Sequence, residues 1–362
     1  MNKLLNLYSL YGKFASLYRD QSDHKSITNL EEEFEKFMDF RKLNKKYFPI
    51  IKCPGATYDE STLELGRYLL TEFFNFDCFL SKYYIDILNK MIGDIEFFMG
   101  KKSLQWFTTT NGQKPSLENF NKALDVVHSI PYDNESKNDR DMNADDALKL
   151  IQKHIDDKGY NWKVEIKVDL LPRMSVSPDK KMFIKKSAVF SKVDIEGLNA
   201  HEVDGHIGRR YYGLKTGLRL FQHGLYGRNI LDEGLAVYNS LHKVSKVKPN
   251  VLFNTALKTI LVYKCDELDF CELFDYCKEF SGDMPDLSLF TAIIRLKASL
   301  EDTRLMGARG EDQSYFCGYQ IVRKMDDKMR DDILKYNIGP NQIPELPDIK
   351  KFFELNKFKS LI

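Results

Sequence analysis

One group of residues has types and spacing suited to chemistry. His201-Glu202-Val203-Asp204-Gly205-His206 is followed, in Ile230-Leu231-Asp232-Glu233-Gly234-Leu235-Ala236, by a carboxylate near the start of a second helical pattern. Two histidines and a glutamate are the donor set of a catalytic zinc ion, which leaves a fourth position for water and lowers that water's pKa to about 7. Glu202, next to the first histidine, suits the general base that takes a proton from the attacking water and passes it to the leaving amine. A structural zinc site has no need of such a base and closes its fourth position, so the pattern favours hydrolysis.

The spacing poses a geometric problem. Residues four apart on an ideal helix lie about 40° apart around the axis, whereas residues five apart lie about 140° apart. His201 and His206 therefore share a face only if the helix is locally distorted, as by a π-bulge, and Gly205 is where a distortion meets least hindrance. A helix irregularity is predicted between the two histidines.

The elements that must hold these groups follow from periodicity. Trp162, Val164, Ile166 and Val168 alternate with charged residues, the pattern of a half-buried strand. After a turn, the β-rich run 182–190 reads as a second strand, placed at the sheet edge above the zinc helix, where a bound peptide would pair with its backbone. Ser191-Lys192-Val193-Asp194 has the form of a capping box that opens the next helix. Apolar spacing predicts helices over 4–18, 30–47, a pair across 62–99, 117–128, from 194 through 212, and over 229–244, 251–263, 270–280, 288–300 and 315–329. The class is α+β, helix-dominant, with a small sheet. Breaks at Cys53-Pro54-Gly55, at Asn111-Gly112 and across 131–141 suggest an N-terminal helical region (1–135), a catalytic region (136–330) and a C-terminal helical tail (331–362).

Composition narrows the function classes. With 54 Lys+Arg against 53 Asp+Glu in 362 residues, the net charge of +1 excludes nucleic-acid binding driven by bulk charge. A 43% hydrophobic content supports a large core and excludes disorder of the whole chain. Polar residues interrupt the first residues before an apolar stretch of signal length forms, and no later stretch reaches membrane-span length, so an unexported, cytoplasmic protein is expected. The six cysteines include no Cys-x-x-Cys pair and read as buried thiols.

At these residues the sequence resembles a known family, the tubulin tyrosine carboxypeptidases of the MATCAP group and their bacterial relatives with a Gln-Glu-Gly-Leu-Ala motif. Ala188-Val189-Phe190-Ser191, Leu198 through His206, Leu218-Arg219-Leu220, Gly224-Leu225 and Glu233-Gly234-Leu235-Ala236 carry the resemblance, which extends over 160–325. It implies a zincin-like metallopeptidase core with His201, His206 and Glu233 as Zn2+ ligands and Glu202 as base. It also implies a protein or peptide C-terminal tail as substrate, with tyrosine or another aromatic removed. Asp232 replaces the family's Gln, and Arg295-Leu296-Lys297-Ala298-Ser299 keeps only the first two basic positions of the family's Arg-x-Lys-Arg-Gly. Asp312, Tyr315 and Gly318 match a Gly-x-x-x-x-Asp-x-x-Tyr-x-x-Gly segment.

A carboxypeptidase needs a cation for the substrate's free carboxylate, and Arg295, Lys297 and Arg309 are the candidates in order of resemblance. Tyr315 is a candidate oxyanion donor, and His223, ten residues before Glu233, is a second. The N-terminal helices are read as packing support for the zinc core. Two other readings stay open: a zinc peptidase of different polarity, since dipeptidyl peptidase III enzymes share His-Glu-x-x-Gly-His, and a zinc-containing protein that grips a peptide tail without cutting it. No nucleic-acid or membrane partner is expected.

Overall fold

The computed structural model describes residues 2–20, 27–52, 57–102, 114–133, 140–168, 170, 172–177, 179–248, 250–297, 302–307 and 310–355. The chain begins with α1 (Asn2–Asp20), α2 (Leu30–Lys42), α3 (Glu60–Phe74), α4 (Ser81–Phe98), α5 (Leu117–Ser129) and α6 (Ala144–Asp157). Strands β1 (Lys163–Lys167), β2 (Met174–Val176) and β3 (Lys181–Lys185) follow. Then come α7 (Lys192–Leu198), a π-helical segment (Asn199–Ile207), α8 (Gly208–Lys215), α9 (Arg219–His223), α10 (Asn229–His242), α11 (Asn250–Lys264), α12 (Phe270–Lys278) and α13 (Asp286–Lys297). A 3-10 turn (Gly310–Gln313), α14 (Ser314–Val322), α15 (Asp327–Tyr336), a second 3-10 turn (Pro340–Glu345) and α16 (Leu346–Leu355) complete it. The class is α+β with helix dominant. Among the described residues no helix is long and apolar enough to cross a membrane.

The sheet has three strands in the order β1-β3-β2, with β3 parallel to β1 and antiparallel to β2. This corrects the expected edge strand over 182–190. β3 ends at Lys185 and is central, both of its sides being hydrogen-bonded, so no peptide can add to it. Phe190 instead makes an isolated bridge with Met142. The strand that pattern reading missed, β2, has only three residues, all buried, too few to show a period of two. Helix α6 was also missed. Asn143 caps it by accepting from the Asp146 amide, and its Ala147, Ile151 and Ile155 join Trp162, Met182, Ile184, Val203 and Ile207 in one cluster. That cluster ties sheet, α6 and the π-helical segment together.

Other boundaries shift for identifiable reasons. α2 stops at Lys42 rather than continuing to 47, because the buried Glu33 carboxylate accepts from the Ile50 amide (2.8 Å) and the Tyr47 hydroxyl (2.7 Å), folding the chain back along the helix. The helix expected over 315–329 is two helices, since Asp326 accepts from the Met329 amide and starts α15. The three expected regions share their cores. Leu7, Tyr11, Leu63 and Leu88 of the N-terminal helices pack in one cluster with Leu220, Leu231, Leu235, Val322, Ile333 and Ile349. Part of the expected boundary (134–139), and the breaks at 53–55 and 111–112, lie outside the described residues. Cys265, Cys271, Cys277 and Cys317 are buried free thiols and Cys78 a half-buried one, while Cys53 lies outside.

Small residues set how closely α10 meets its neighbours. Gly234 of α10 faces Gly318 of α14, and a methyl group on Gly318 would collide with the Ile230 carbonyl oxygen and lie 2.9 Å from Gly234 Cα. On another face of α10, a methyl on Gly205 would stand 3.0 Å from Ala236 Cβ. Backbones can approach this closely only where no side chain intervenes. Gly318→Ala is expected to force α10 and α14 apart and cost about 1–3 kcal/mol, measured by urea unfolding; an unchanged midpoint would show that the crossing relaxes freely.

Candidate metal centre

The segment that carries the histidines starts where the sequence says it should. Ser191 accepts from the Asp194 amide and Asp194 from the Ser191 amide, a capping box that begins α7. Three cations, Arg140 (2.9 Å), Arg173 (3.2 Å) and Lys248 (3.1 Å), surround the buried Asp194 carboxylate. Although burial works to raise its pKa, Arg173, the Ser191 amide and Arg140 hold it far below the usual carboxylate range. The cap therefore stays ionised and firmly anchored.

Beyond α7 the helix widens. The predicted irregularity is present and extends over nine residues, Asn199–Ile207, rather than one inserted residue. Bonding from i to i+5 stacks residues five apart, so His201 and His206 come onto one face with ring centroids 5.1 Å apart. Gly205 is not among the residues with positive φ; its place is required by the close approach to Ala236. From α10, Glu233 meets both histidines, its Oε2 lying 3.6 Å from His201 Nε2 and 3.5 Å from His206 Nε2. One ligand atom from each of the three lies within 4.8 Å of the others.

These residues fit a metal ion. Glu233 Oε2 is buried and accepts no hydrogen bond among the described residues, though it points at two imidazole nitrogens. Each histidine turns its other nitrogen to a partner: His206 Nδ1 lies 3.0 Å from Asp232 Oδ1, and His201 Nδ1 3.4 Å from Ser240 Oγ. Ser240 in turn donates to the Ala236 carbonyl (3.0 Å), so it can accept from the imidazole. With Nδ1–H donated outward, both Nε2 lone pairs face the gap. Burial acts to lower the His206 pKa, but Asp232 and Glu233 outweigh it and hold it well above its ordinary value. Glu233 goes the other way: burial acts to raise it, yet His206 and His201 hold it well below. The gap thus demands positive charge.

Asp232 is the residue whose role the sequence did not reveal. Besides His206 it accepts from Arg228 Nη1 (2.7 Å) and faces Arg209 Nε at 3.7 Å, so a buried His-Asp-Arg network fixes the imidazole. The Arg228/Asp232 spacing of four on a helix was a legible signal. Glu202, one residue past His201, is half-buried, and its carboxylate makes no hydrogen bond to a described residue.

Tyr315 stands beside this group, its ring stacked on His201 (6.2 Å between centroids, 12° between planes). Arg295 Nη2 donates to its hydroxyl (2.9 Å) and pairs with Asp312 Oδ1 (3.0 Å). Burial holds the phenol well above its ordinary pKa against the opposing pull of Arg295. Lys258 of α11, missed because a lone lysine in a helix carries no local pattern, sets its Nζ 3.7 Å from the Tyr315 ring centroid. Other sequence candidates lie elsewhere. Lys297 is buried with its ammonium spent on the Leu305 (2.7 Å) and Gly307 (2.8 Å) carbonyls, where it fastens a loop. His223 is buried with its ring 6.1 Å from Tyr11 of α1, outside the converging group. Arg309 lies outside the described residues.

Fold and site together define a helix-rich α+β protein organised around a His-His-Glu group suited to a metal, with the Glu202 carboxylate next to its first histidine. The profile of the microtubule-associated tyrosine carboxypeptidase family, MATCAP, matches residues 78–295, more than half of the chain, and the chain belongs to that family. The match starts well before the expected 160, bringing all of α4, α5 and α6 into the family region, and ends at Arg295, short of Tyr315. A curated relative, "Putative tyrosine carboxypeptidase MATCAP2" of Mus musculus, is 33% identical over 134 residues, 36% of this chain and 25% of its own. The chain thus spans about a quarter of the length of the curated relative it matches.

Asp232→Asn keeps an oxygen near His206 but removes the charge. It is expected to weaken binding of added zinc(II) roughly 10- to 100-fold, read by competition with a chromophoric chelator; a change below about twofold would mean that the carboxylate does not orient the imidazole.

Proposed function

We propose that this protein is a zinc carboxypeptidase that removes the C-terminal residue, tyrosine or another aromatic, from a protein or peptide. The observation that carries the reading is the orphaned Glu233 Oε2 facing two imidazole Nε2 atoms, with the Glu202 carboxylate next along the same helix. His201, His206 and Glu233 would hold the ion, which when bound supplies Lewis acidity to water and to a carbonyl oxygen. Membership in a family named for tyrosine carboxypeptidase activity supports the direction of cleavage and the residue released.

The remaining work falls to the chain's own groups. Glu202 takes a proton from the attacking water at a carboxylate oxygen, and the same oxygen returns it to the leaving amine. The Tyr315 hydroxyl, already accepting from Arg295, has its own proton free to donate to the oxyanion that develops on the scissile carbonyl. Because burial keeps the phenol protonated, that donor persists at neutral pH. Asp232 and Ser240 hold the imidazoles so that no reorientation is needed during the reaction.

Glu202→Gln is expected to lower turnover roughly 10²- to 10⁴-fold while zinc content is unchanged. Mass spectrometry on peptides with free and amidated C-termini provides the test: wild type should shorten the free acids by one residue and spare the amides. Shortening from the N-terminus would replace this reading with the dipeptidyl-peptidase one, and bound zinc with no cleavage would favour a tail binder. Tyr315→Phe is expected to reduce kcat roughly 10²-fold with little change in KM, as loss of a transition-state donor does; a rise in KM alone would assign the phenol to substrate binding.

A further inference from the structure

A carboxypeptidase has to recognise the terminal carboxylate one residue away from the bond it cuts, roughly 3.5 Å along an extended chain. The cation that does so must stand next to the groups that act on the scissile carbonyl. Most nearby cations are already committed. Arg295 is taken by Asp312 (3.0 Å) and the Tyr315 hydroxyl (2.9 Å), Arg228 by Asp232 (2.7 Å), and Lys297 by two loop carbonyls. Arg209 is fully buried, with Nη2 donating to the Ile338 carbonyl (3.1 Å).

Lys258 differs from all of these. It is half-buried on α11, its ammonium lies over the Tyr315 ring at 3.7 Å, and that ring stacks on His201, so two consecutive contacts link it to the metal group. Among the described residues no carboxylate or carbonyl accepts from its Nζ. Burial, and then the like charge of Arg295, pull its pKa down to about 8 in spite of the opposing fields of Asp312, Glu233 and Glu202. A half-buried cation with an aromatic face beneath it and no counter-ion among the described residues is a site suited to an anion.

We propose that Lys258 receives the α-carboxylate of the substrate's C-terminal residue, a role that rests on the carboxypeptidase reading above. Arg295 is then a positioning residue: it holds the Tyr315 hydroxyl, and the same ring contacts both the Lys258 ammonium and His201. Specificity for a free C-terminus comes from the charge pair, and an amidated end leaves Lys258 unsatisfied.

The test separates binding from turnover by using the Glu202→Gln protein loaded with zinc. Fluorescence anisotropy gives Kd for a labelled octapeptide ending in tyrosine, as the free acid and as the carboxamide. The Glu202→Gln protein should prefer the acid by roughly tenfold or more. Adding Lys258→Met should bring the acid-to-amide preference close to one with zinc content unchanged, and Lys258→Arg should restore part of it. Lys258→Gln serves the same comparison if the methionine variant does not fold. In wild-type background, Lys258→Met should raise KM for the acid with a smaller change in kcat. An acid preference that survives Lys258→Met and disappears in Arg210→Gln would overturn the assignment in favour of Arg210, which is half-buried near Glu202 and Asp232. No preference for the acid even with Lys258 intact would overturn the carboxypeptidase reading itself, and the role of Lys258 with it.

Discussion

The arrangement of the site depends on how closely three helices approach. α10 supplies Glu233, and it touches the π-helical segment through Ala236 against Gly205 and touches α14 through Gly234 against Gly318. Any β-carbon at these glycines would push the backbones apart, and packed interiors do not absorb such a push without shifting their neighbours. Glu233, the two histidines and Tyr315 belong to three different helices, so their separation is set by these contacts. The Glu-Gly-Leu-Ala run thus serves two purposes: Glu233 faces the two histidines, and Gly234 and Ala236 admit the helices that bring the other groups to it.

Charge is arranged around that core with equal economy. One carboxylate and two imidazoles converge on a gap that calls for a cation, and Asp232, Arg228 and Arg209 form a ladder behind His206. Beside His201 the sign reverses. Arg295 and Lys258 stand near Tyr315, with Asp312 balancing only the first of them directly. Negative charge at the His-His-Glu group thus lies a side chain away from positive charge at Arg295 and Lys258.

The π-helical segment reconciles the motif with helix geometry. Its i to i+5 bonding brings together histidines that an α-helix would set far apart, and it continues directly from a capped α-helix whose first turn is anchored by Asp194 and three cations. α6 and the sheet pack beneath it through Val203 and Ile207, while the N-terminal helices close over α9 and α10. A helix interrupted at this point holds its shape because packing on several sides leaves it no other.

Much of the fold and the central residues of the site could be read from the sequence. Helix dominance, the capping box at Ser191, the first strand and the need for an irregular turn between His201 and His206 follow from short-range patterns, because periodicity, capping and helix pitch are local properties. Local spacing likewise picked out His201, Glu202, His206 and Glu233. What it missed is non-local. The three-residue β2 and the central place of β3 depend on pairing across the sheet, and the end of α2 depends on a carboxylate that captures a later amide. The duties of Asp232, Lys297, His223 and Lys258 depend on which partner each side chain meets. A histidine that packs against Tyr11 and a lysine that fastens loop carbonyls have the same local appearance as those around Glu233 and Tyr315, since a residue's type is written in the chain but its neighbours are chosen only when distant segments pack.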